Sequence, residues 1–327
     1  MKKQIKKAVA LFLTAAMVVG TTACGSKEKQ VEGTDSTPVI KVAYQYGLAY
    51  APLTVMQEQG LIEKNYDGDI KVEWVNLNSG SAINEGMASG DIDVACMGIA
   101  PFITGVTAGI PYKMYGTIAA QPNELLTNDS SITSLKDITE DKKISVVNIG
   151  SIQHILLAML AKAELGDAHA LDNNLVAMSH PDGMTALLSG SVACQLTTAP
   201  YIFKAKEQDG IKEAESLDSV WPDGNAFIVG LVSDDLCNNQ PEVYQAVVNA
   251  TQEAMDYLNN NQEDAAALLC QKEDVSAETM LGWMQDPGCV YDMKLPGVMD
   301  MAEFMAENDF VDKAPESFEA ITTESAR

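Results

Sequence analysis

From Val39 onward the sequence alternates between short β-rich runs and helical runs, and this alternation restricts the fold more than any other feature. It begins with VIKVAYQ and continues to AFIVGLV, which ends at Val232. Strands that alternate with helices predict parallel βαβ units. From Pro241 the pattern contains helices only. The sequence therefore predicts an α/β fold whose sheets are mostly parallel and flanked by helices, with a C-terminal helical segment.

The predicted elements follow from hydrophobic period and from turn residues at their ends. The predicted strands are 39–45, 70–77, 93–98, 112–120, 143–148, 175–179, 192–197 and 226–232. The predicted helices are 52–59, 81–89, 101–108, 151–165, 182–189, 201–208, 242–259, 263–271, 277–284 and 298–307.

A weak internal repeat divides the alternating region into two parts. The order Ser-Gly, Val-Ala-Cys, Ala-Pro occurs at 89–101 and again at 189–200. Both copies run from a helix through a strand and a short loop into another helix. The agreement in residues and in element order predicts two similar lobes.

The N-terminus has the pattern of a secretory signal. Met1–Lys7 is basic, and Ala8–Gly20 is an apolar run of thirteen residues, which is shorter than the roughly 20 residues needed to span a bilayer. Small residues follow up to Ala23. A basic head, a short apolar run and a small-residue cleavage site predict a signal peptide over 1–23.

The residues after this run resemble a bacterial lipobox, TTACGS, in which Cys24 becomes the lipidated N-terminus. Thr21 stands where a lipobox usually has leucine. Residues 24–38 are polar without apolar periodicity, which predicts a flexible tether. We therefore expect an extracytoplasmic protein that is lipid-anchored to the outer face of the bacterial cell membrane.

Composition excludes several classes of function. The formal net charge of −25 is opposite to what phosphate contacts require, so no nucleic-acid partner is expected. The sole arginine is Arg327, so an arginine fork for phosphate or carboxylate is not available to a site within the fold. The three histidines, His154, His169 and His180, include no i,i+4 pair. We expect no metal and no cofactor.

The cysteines give no redox or zinc motif. Cys96 and Cys194 lie in apolar strand-like runs and are predicted to be buried. Among Cys237, Cys270 and Cys289 one disulfide is possible, and the sequence leaves this open.

Four longer runs carry a specific resemblance: APLTVMQEQGLIEK, SGSAINEGMASGDIDVACMGIAP, SLKDITEDKKISVVNIGSIQHILLAMLAKAELG and CNNQPEVYQAVVNATQEAMDYLNNNQEDAAALL. They resemble the substrate-binding lipoproteins of nitrate/sulfonate/taurine-type ABC transporters, a family that also includes binders of thiamine-pyrimidine precursors. The resemblance spans Val39 to about Leu269.

This resemblance implies a two-lobed periplasmic-binding-protein fold of type II-like topology, with a cleft between the lobes. Lobe 1 would comprise 39–120 plus 228–327, and lobe 2 would comprise 121–227. The hinge would lie near 117–123 and 224–231. The implied partners are a small-molecule solute, an ABC permease and its ATPase, and a monomer is expected.

Ligands of open α/β sheets bind beyond the carboxyl ends of the strands, where loops lead into helix N-termini. A helix N-terminus offers free N–H donors and a partial positive charge, so an anion can be bound without a cationic side chain. The ligand-binding residues predicted on this basis are Gln45, Tyr46, Tyr50, Ser79, Gly80, Ser81, Gly98, Ile99, Gly150, Ser151, Gln153 and His154, with Thr197 and Thr198 added by the internal repeat.

The resemblance and the loops together imply a solute-binding component of an ABC importer. The expected solute is a sulfonate-, nitrate- or taurine-like anion, or a neutral pyrimidine-type precursor stacked on tyrosines. A non-transport surface or sensor lipoprotein is an alternative. A pyrimidine-precursor synthase-like enzyme is another, but Ser151 and His154 come with no orienting carboxylate or nucleophile elbow, so no catalytic residue is expected.

Overall fold

A computed structural model describes residues 37–327. The predicted signal peptide (1–23), the predicted lipidation site at Cys24 and most of the predicted tether lie outside the described residues. Among residues 37–327, no helix is long and apolar enough to cross a membrane.

The described residues form ten strands and twelve α-helices. The strands are β1 (Val39–Tyr44), β2 (Lys71–Asn76), β3 (Val94–Gly98), β4 (Tyr112–Ala119), β5 (Asn123–Thr127), β6 (Ile144–Val146), β7 (Leu175–Ala177), β8 (Cys194–Thr198), β9 (Lys212–Ser216) and β10 (Ile228–Ser233). The helices are α1 (Ala51–Gln59), α2 (Leu61–Asn65), α3 (Gly80–Ser89), α4 (Ile99–Thr107), α5 (Ile152–Leu165), α6 (His180–Leu188), α7 (Tyr201–Lys206), α8 (Asp234–Asn239), α9 (Pro241–Asn260), α10 (Gln262–Glu273), α11 (Ala277–Met284) and α12 (Val298–Glu307).

The strands form two five-stranded sheets with the same plan. The first sheet has the order β2-β1-β3-β10-β4, and the second has the order β7-β6-β8-β5-β9. In the first sheet β1 is parallel to β2 and β3, whereas β10 is antiparallel to β3 and β4. In the second sheet β6 is parallel to β7 and β8, whereas β5 is antiparallel to β8 and β9. In each sheet four strands therefore run in one direction, and only β10 or β5 runs against them. The predicted α/β class with two mostly parallel sheets is confirmed.

The chain passes between the sheets in two neighbouring segments, after β4 and before β10. Phe227 N–H donates to the Ala119 carbonyl at 2.8 Å, which joins the two crossings. Ala120 exchanges backbone hydrogen bonds of 2.9 and 3.1 Å with Val290. Paired crossing strands of this kind can act as a hinge, and they overlap the segments predicted for one. The lobe boundaries themselves stay a prediction.

The C-terminal helices cover the first sheet. Helix α9 packs against α1 and α2, and Thr251 of α9 is fully buried and lies 3.2 Å from the Tyr115 hydroxyl of β4. Helix α12 packs against α4. The helical segment that begins at Pro241 therefore adds to the core of the first sheet and not to a separate unit.

Four elements were not predicted from the sequence. Strand β9 (KEAES) is polar because it lies at the edge of the second sheet, where only Ala214 is buried. Strand β5 (NELLT) follows a proline and is too short to show an alternating pattern. Helices α2 and α8 have five and six residues. Helix α6 begins at His180, two residues before its predicted start.

The five cysteines between 37 and 327 are free thiols. Cys96 and Cys194 are fully buried, as predicted. The disulfide that the sequence left open among Cys237, Cys270 and Cys289 is not formed.

Gly105 provides a test of the packing between α3, α4 and β4. A Cβ at this position would collide with the Tyr112 hydroxyl, which donates to Asn84 Oδ1 at 2.7 Å. We predict that Gly105→Ala lowers the free energy of unfolding by about 1–3 kcal/mol, because the tyrosine must move and its buried hydrogen bond is lost. Urea unfolding measures this change.

Gly282 is the matched control, because it also lies within a helix and a Cβ there meets no atom within 4 Å. Gly282→Ala should stabilise the protein by about 0.5–1 kcal/mol through helix propensity alone. Equal effects of the two substitutions would contradict the packing described for Gly105.

Candidate functional site

A cleft lies between the two sheets, beyond the carboxyl ends of the parallel strands β1, β2, β3, β6 and β7. Its empty volume of about 460 Å³ includes space that is open to solvent. The residues that line it are Gln45, Tyr46, Tyr50, Asn78, Gly80, Gly98, Pro101, Val147, Asn148, Ser151, Ile152, Gln153, Ser179, His180, Phe227 and Ile228.

The loop after β1 forms one wall of the cleft. The Tyr50 hydroxyl donates to Gln45 Oε1 at 3.1 Å, which leaves the Gln45 amide nitrogen as a donor. Burial raises the pKa of Tyr50 well above its usual value, so this side chain stays a neutral phenol. Tyr46 is 43% exposed and stands at the rim.

Helices α3 and α4 bring their N-termini together at this wall. Ser79 caps α3 by accepting from the Ala82 N–H at 3.3 Å. A Cβ on Gly80 would lie 2.5 Å from Pro101 Cγ, so only glycine permits this close approach. The N–H groups of Gly80 and Ser81, in the first turn of α3, have no carbonyl partner within their own helix.

Helix α5 begins at the opposite wall. Ser151 caps it by accepting from the His154 N–H at 3.2 Å. The Ser151 N–H donates to the Asn148 carbonyl at 3.0 Å and is therefore not available to a ligand. The first-turn N–H groups of Ile152 and Gln153 have no intrahelical partner. Helices α3 and α5 thus bring such donors to the cleft from opposite walls, since Gly80, Ile152 and Gln153 all line it.

Helix α6 begins beside α5 and places His180 in the wall. The ring lies 2.8 Å from Thr197 Oγ1 through Nδ1 and 3.4 Å from the Gln153 amide nitrogen through Nε2, and it stacks on Tyr201 with centroids 5.3 Å apart. Since an amide nitrogen donates, Nε2 accepts and Nδ1–H donates to the threonine. Burial lowers the pKa of His180 to about 4. The ring is therefore neutral at physiological pH.

No Asp, Glu, Lys or Arg side chain is among the residues that line the cleft. Within the described chain, no group of three or more His, Cys, Asp or Glu side chains is placed to hold a metal ion. The cleft offers backbone N–H groups, neutral amides, hydroxyls and aromatic rings. Such a surface can bind a small anion or a neutral polar molecule.

The structure brings half of the predicted site residues together in the cleft. Those that line it are Gln45, Tyr46, Tyr50, Gly80, Gly98, Ser151 and Gln153. Those that do not line it are Ser79, Ser81, Ile99, Gly150, His154, Thr197 and Thr198.

The residues outside the cleft have structural partners. Ser81 is exposed, and its hydroxyl lies 2.9 Å from that of Ser79. Ile99 is fully buried. The Thr197 hydroxyl accepts a hydrogen bond from the Nδ1–H of His180. The Thr198 hydroxyl donates to the Pro122 carbonyl at 2.9 Å.

His154 points away from the cleft. Its Nδ1 accepts from the Gly150 N–H at 3.0 Å, and its Nε2 lies 3.4 Å from Asp172 Oδ1. The ring contacts Phe310 edge-on, with centroids 5.4 Å apart.

Several lining residues were not predicted: Asn78, Pro101, Val147, Asn148, Ile152, Ser179, His180, Phe227 and Ile228. The pair Ser179 and His180 had a recognisable signal, because serine followed by Pro181 marks a helix start directly after a strand. No local sequence signal marks Phe227 and Ile228 as cleft residues. They reach the cleft because Ile228 of β10 pairs with Gly98 of β3.

Comparison with known proteins finds a matching family model and relatives that are named as binding proteins. The model of the NMT1-like family matches residues 33–271. A protein of Bacillus subtilis (strain 168), whose name assigns it the binding of aliphatic sulfonates, is 26% identical over 288 residues, which are 86% of this chain and 81% of the relative. The taurine-binding periplasmic protein of Escherichia coli (strain K12) is 23% identical over 223 residues, 68% of each chain.

The fold has solved counterparts as well. The alkanesulfonate-binding protein of Xanthomonas axonopodis pv. citri, solved bound to MOPS, superposes with a TM-score of 0.69 at 18% identity, over 84% of this chain and 95% of that one. At this identity the likeness shows the fold. The predicted resemblance to sulfonate- and taurine-type binding proteins is confirmed.

The buried His180 ring predicts how stability depends on pH. The unfolded chain protonates this histidine near pH 6.5, whereas the folded protein protonates it only near pH 4. Between these values the unfolded state binds more protons, so the free energy of unfolding falls as the pH is lowered, by up to about 1.4 kcal/mol per pH unit from this group. His180→Gln should remove this part of the slope in urea unfolding between pH 6.5 and 4.5. An unchanged slope would mean that the ring is not held neutral.

Proposed function

This chain belongs to the NMT1-like family, and from that membership and its uncharged cleft we propose that it is the extracytoplasmic solute-binding component of an ABC importer. It captures a small organic solute between two lobes, 39–120 plus 228–327 and 121–227. It then delivers the solute to a membrane permease that is driven by its ATPase. The names of the relatives support this role, since they are binding proteins for aliphatic sulfonates and for taurine.

The observation that carries the proposal is the pairing of α3 and α5 across the cleft. Their first turns supply the N–H groups of Gly80, Ile152 and Gln153, which line the cleft and have no carbonyl partner within their helices. The partial positive charge at each N-terminus favours an anionic group placed between them. A sulfonate fits this arrangement because its three oxygens can accept several N–H bonds at once.

A neutral heteroaromatic solute of the pyrimidine type is the second candidate. The cleft presents aromatic rings from Tyr46, Tyr50, Phe227 and His180. The Gln45 and Gln153 amides beside these rings could bind ring nitrogens. This candidate does not use the helix N-termini as charge partners, so a comparison of anionic and neutral solutes separates the two.

Capture requires the walls to approach, and contacts at the cleft support a closing motion. A Cβ on Gly98 would lie 2.9 Å from Ile152 Cγ2 across the cleft. The Leu48 N–H donates to the Ala199 carbonyl at 3.1 Å. Each of these contacts joins a residue of the first-sheet half to a residue of the second-sheet half, so approach of the lobes would form them.

The chain is not proposed to be an enzyme. Ser151 Oγ accepts from the main-chain N–H of His154, and the imidazole of His154 is bound to Gly150 and Asp172. The two side chains therefore do not form a nucleophile and base pair.

Transport is also favoured over a sensor or surface role, because the named relatives are solute-binding proteins.

Gly98 and Ile152 allow the cleft to be tested by a double-mutant cycle. Calorimetry with taurine, ethanesulfonate, nitrate and a hydroxymethyl-pyrimidine should detect binding of a sulfonate by the wild type. Gly98→Ala should weaken that binding by about fivefold or more, because its methyl group prevents closure at a cost of roughly 1–3 kcal/mol. Adding Ile152→Ala should recover much of the loss, because it removes the clashing atoms.

The control for this cycle is Gly282→Ala, far from the cleft and free of contacts. Binding of none of the four compounds, with the protein folded, would contradict the proposed solute class. Binding that is unaffected by Gly98→Ala would contradict closure at this point.

Anchoring is the finer part of the proposal, and it rests on the sequence TTACGS around Cys24. Lipidation of this residue would hold a monomeric protein at the outer face of the membrane through several acyl chains. Cys24→Ala should release the protein to the medium or leave the precursor uncleaved, whereas Ser26→Ala should change nothing. Fractionation with detergent measures this, and unchanged membrane association of a Cys24→Ala protein that has been cleaved to mature size would contradict lipid anchoring.

A further inference from the structure

Outside the cleft, a row of hydrogen bonds connects the C-terminal segment to the loop that enters helix α5. The His169 ring lies 2.8 Å from the Asn308 carbonyl through Nε2 and 2.8 Å from Asp172 Oδ2 through Nδ1. The other carboxylate oxygen of Asp172 lies 3.4 Å from His154 Nε2. His154 Nδ1 in turn accepts from the Gly150 N–H at 3.0 Å.

The geometry fixes the protonation of both rings. A carbonyl and a carboxylate oxygen can only accept, so His169 must donate through both nitrogens and is an imidazolium in this arrangement. His154 accepts through Nδ1 and donates through Nε2, so it is neutral. Phe310 packs against both rings, with centroids 4.6 Å from His169 and 5.4 Å from His154.

The two ends of this row belong to different parts of the molecule. Asn308 directly follows α12, which packs against α4 beside the first sheet. His169 and Asp172 lie between α5 and β7, which belong to the second-sheet half of the fold. The contact of Asn308 with His169 therefore depends on how the two halves are placed.

We propose that His169, Asp172 and His154 are positioning residues for the solute site, and that closure of the cleft makes the His169–Asn308 contact, so the protonated protein binds solute more tightly. This inference rests on the proposed solute-binding function. The row acts through Gly150, which lies between the cleft-lining residues Asn148 and Ser151 in the chain, and holds the start of α5 where its N–H groups meet the solute.

The charges around His169 favour its protonated form. The carboxylate of Asp172 and the carbonyl of Asn308 raise the pKa of His169, and Asp167 adds a weaker attraction. From α5 the nearest titratable group is His154, whose pKa is lowered by burial. From the C-terminal segment, the Asn308 carbonyl and the Phe310 ring contact His169.

The sign of the pH effect follows from linkage. The closed form has the higher His169 pKa because it includes the Asn308 contact. Below the pKa of the open form His169 is charged in both forms, and affinity is highest. As the pH rises through the pKa of the closed form, the proton and the contact are lost, and affinity falls.

Calorimetry with ethanesulfonate, whose charge is constant from pH 5.5 to 8.5, tests the inference. Because His169 and Asp172 are exposed, we expect binding to be roughly two- to fivefold weaker at pH 8.5 than at pH 5.5. His169→Gln should abolish this dependence, whereas Asp167→Asn should keep it. A pH profile that is the same in the wild type and in His169→Gln would overturn the inference.

A measurement without solute separates this inference from the proposed function. In the wild type the Gly150 amide resonance should shift with the titration of His169, and Asp172→Asn should remove this shift. If ethanesulfonate does not bind but the Gly150 shift is present, the proposed solute class is contradicted, whereas the coupling of His169 to Gly150 through the row of hydrogen bonds is supported. A Gly150 resonance that does not follow His169 overturns the row itself.

Discussion

The parallel strands β1, β2 and β3 of one sheet and β6 and β7 of the other end at the same cleft, and the rest of the site depends on this constraint. Strands β2 and β6 lead into α3 and α5, whose first N–H groups lack carbonyl partners within their helices. Serine caps at Ser79, Ser151 and Ser179 satisfy one N–H in each of α3, α5 and α6. Gly80 of α3 and Ile152 and Gln153 of α5 line the cleft, so the fold itself creates the polar surface that is proposed to bind a solute.

This arrangement would allow a protein with a formal charge of −25 to bind the proposed anionic solute. No lysine or arginine lines the cleft, so attraction comes from aligned peptide dipoles at close range. Because His180 is neutral, the wall carries no charge there. The hydrogen bond from His180 Nδ1–H to the Thr197 hydroxyl fixes the orientation of the ring. At long range the acidic surface repels the same solute, so affinity depends on contacts made inside the cleft.

Much of the fold could be predicted from the sequence, because buried parallel strands and capped helices leave clear local patterns. The edge strand β9 could not be predicted, because most of its residues are polar and at least partly exposed. In the site, the loops after β1, β3 and β6 were predicted from their positions at strand ends. His154 was placed in the cleft by its helix position, yet the Gly150 N–H and Asp172 hold it on the other side. Phe227 reaches the cleft only through antiparallel pairing of distant strands, which local sequence does not encode.

The central claim is that an anionic solute is held by neutral donors within an acidic protein. Its most direct test is the affinity for ethanesulfonate as the concentration of sodium gluconate, a salt with a bulky anion, rises from low to physiological ionic strength. Salt screens the repulsion by the surface and leaves short-range contacts in the cleft largely unscreened. The account predicts binding that is unchanged or stronger at higher ionic strength. Binding that weakens steeply with salt, as a lysine- or arginine-based site requires, would contradict it.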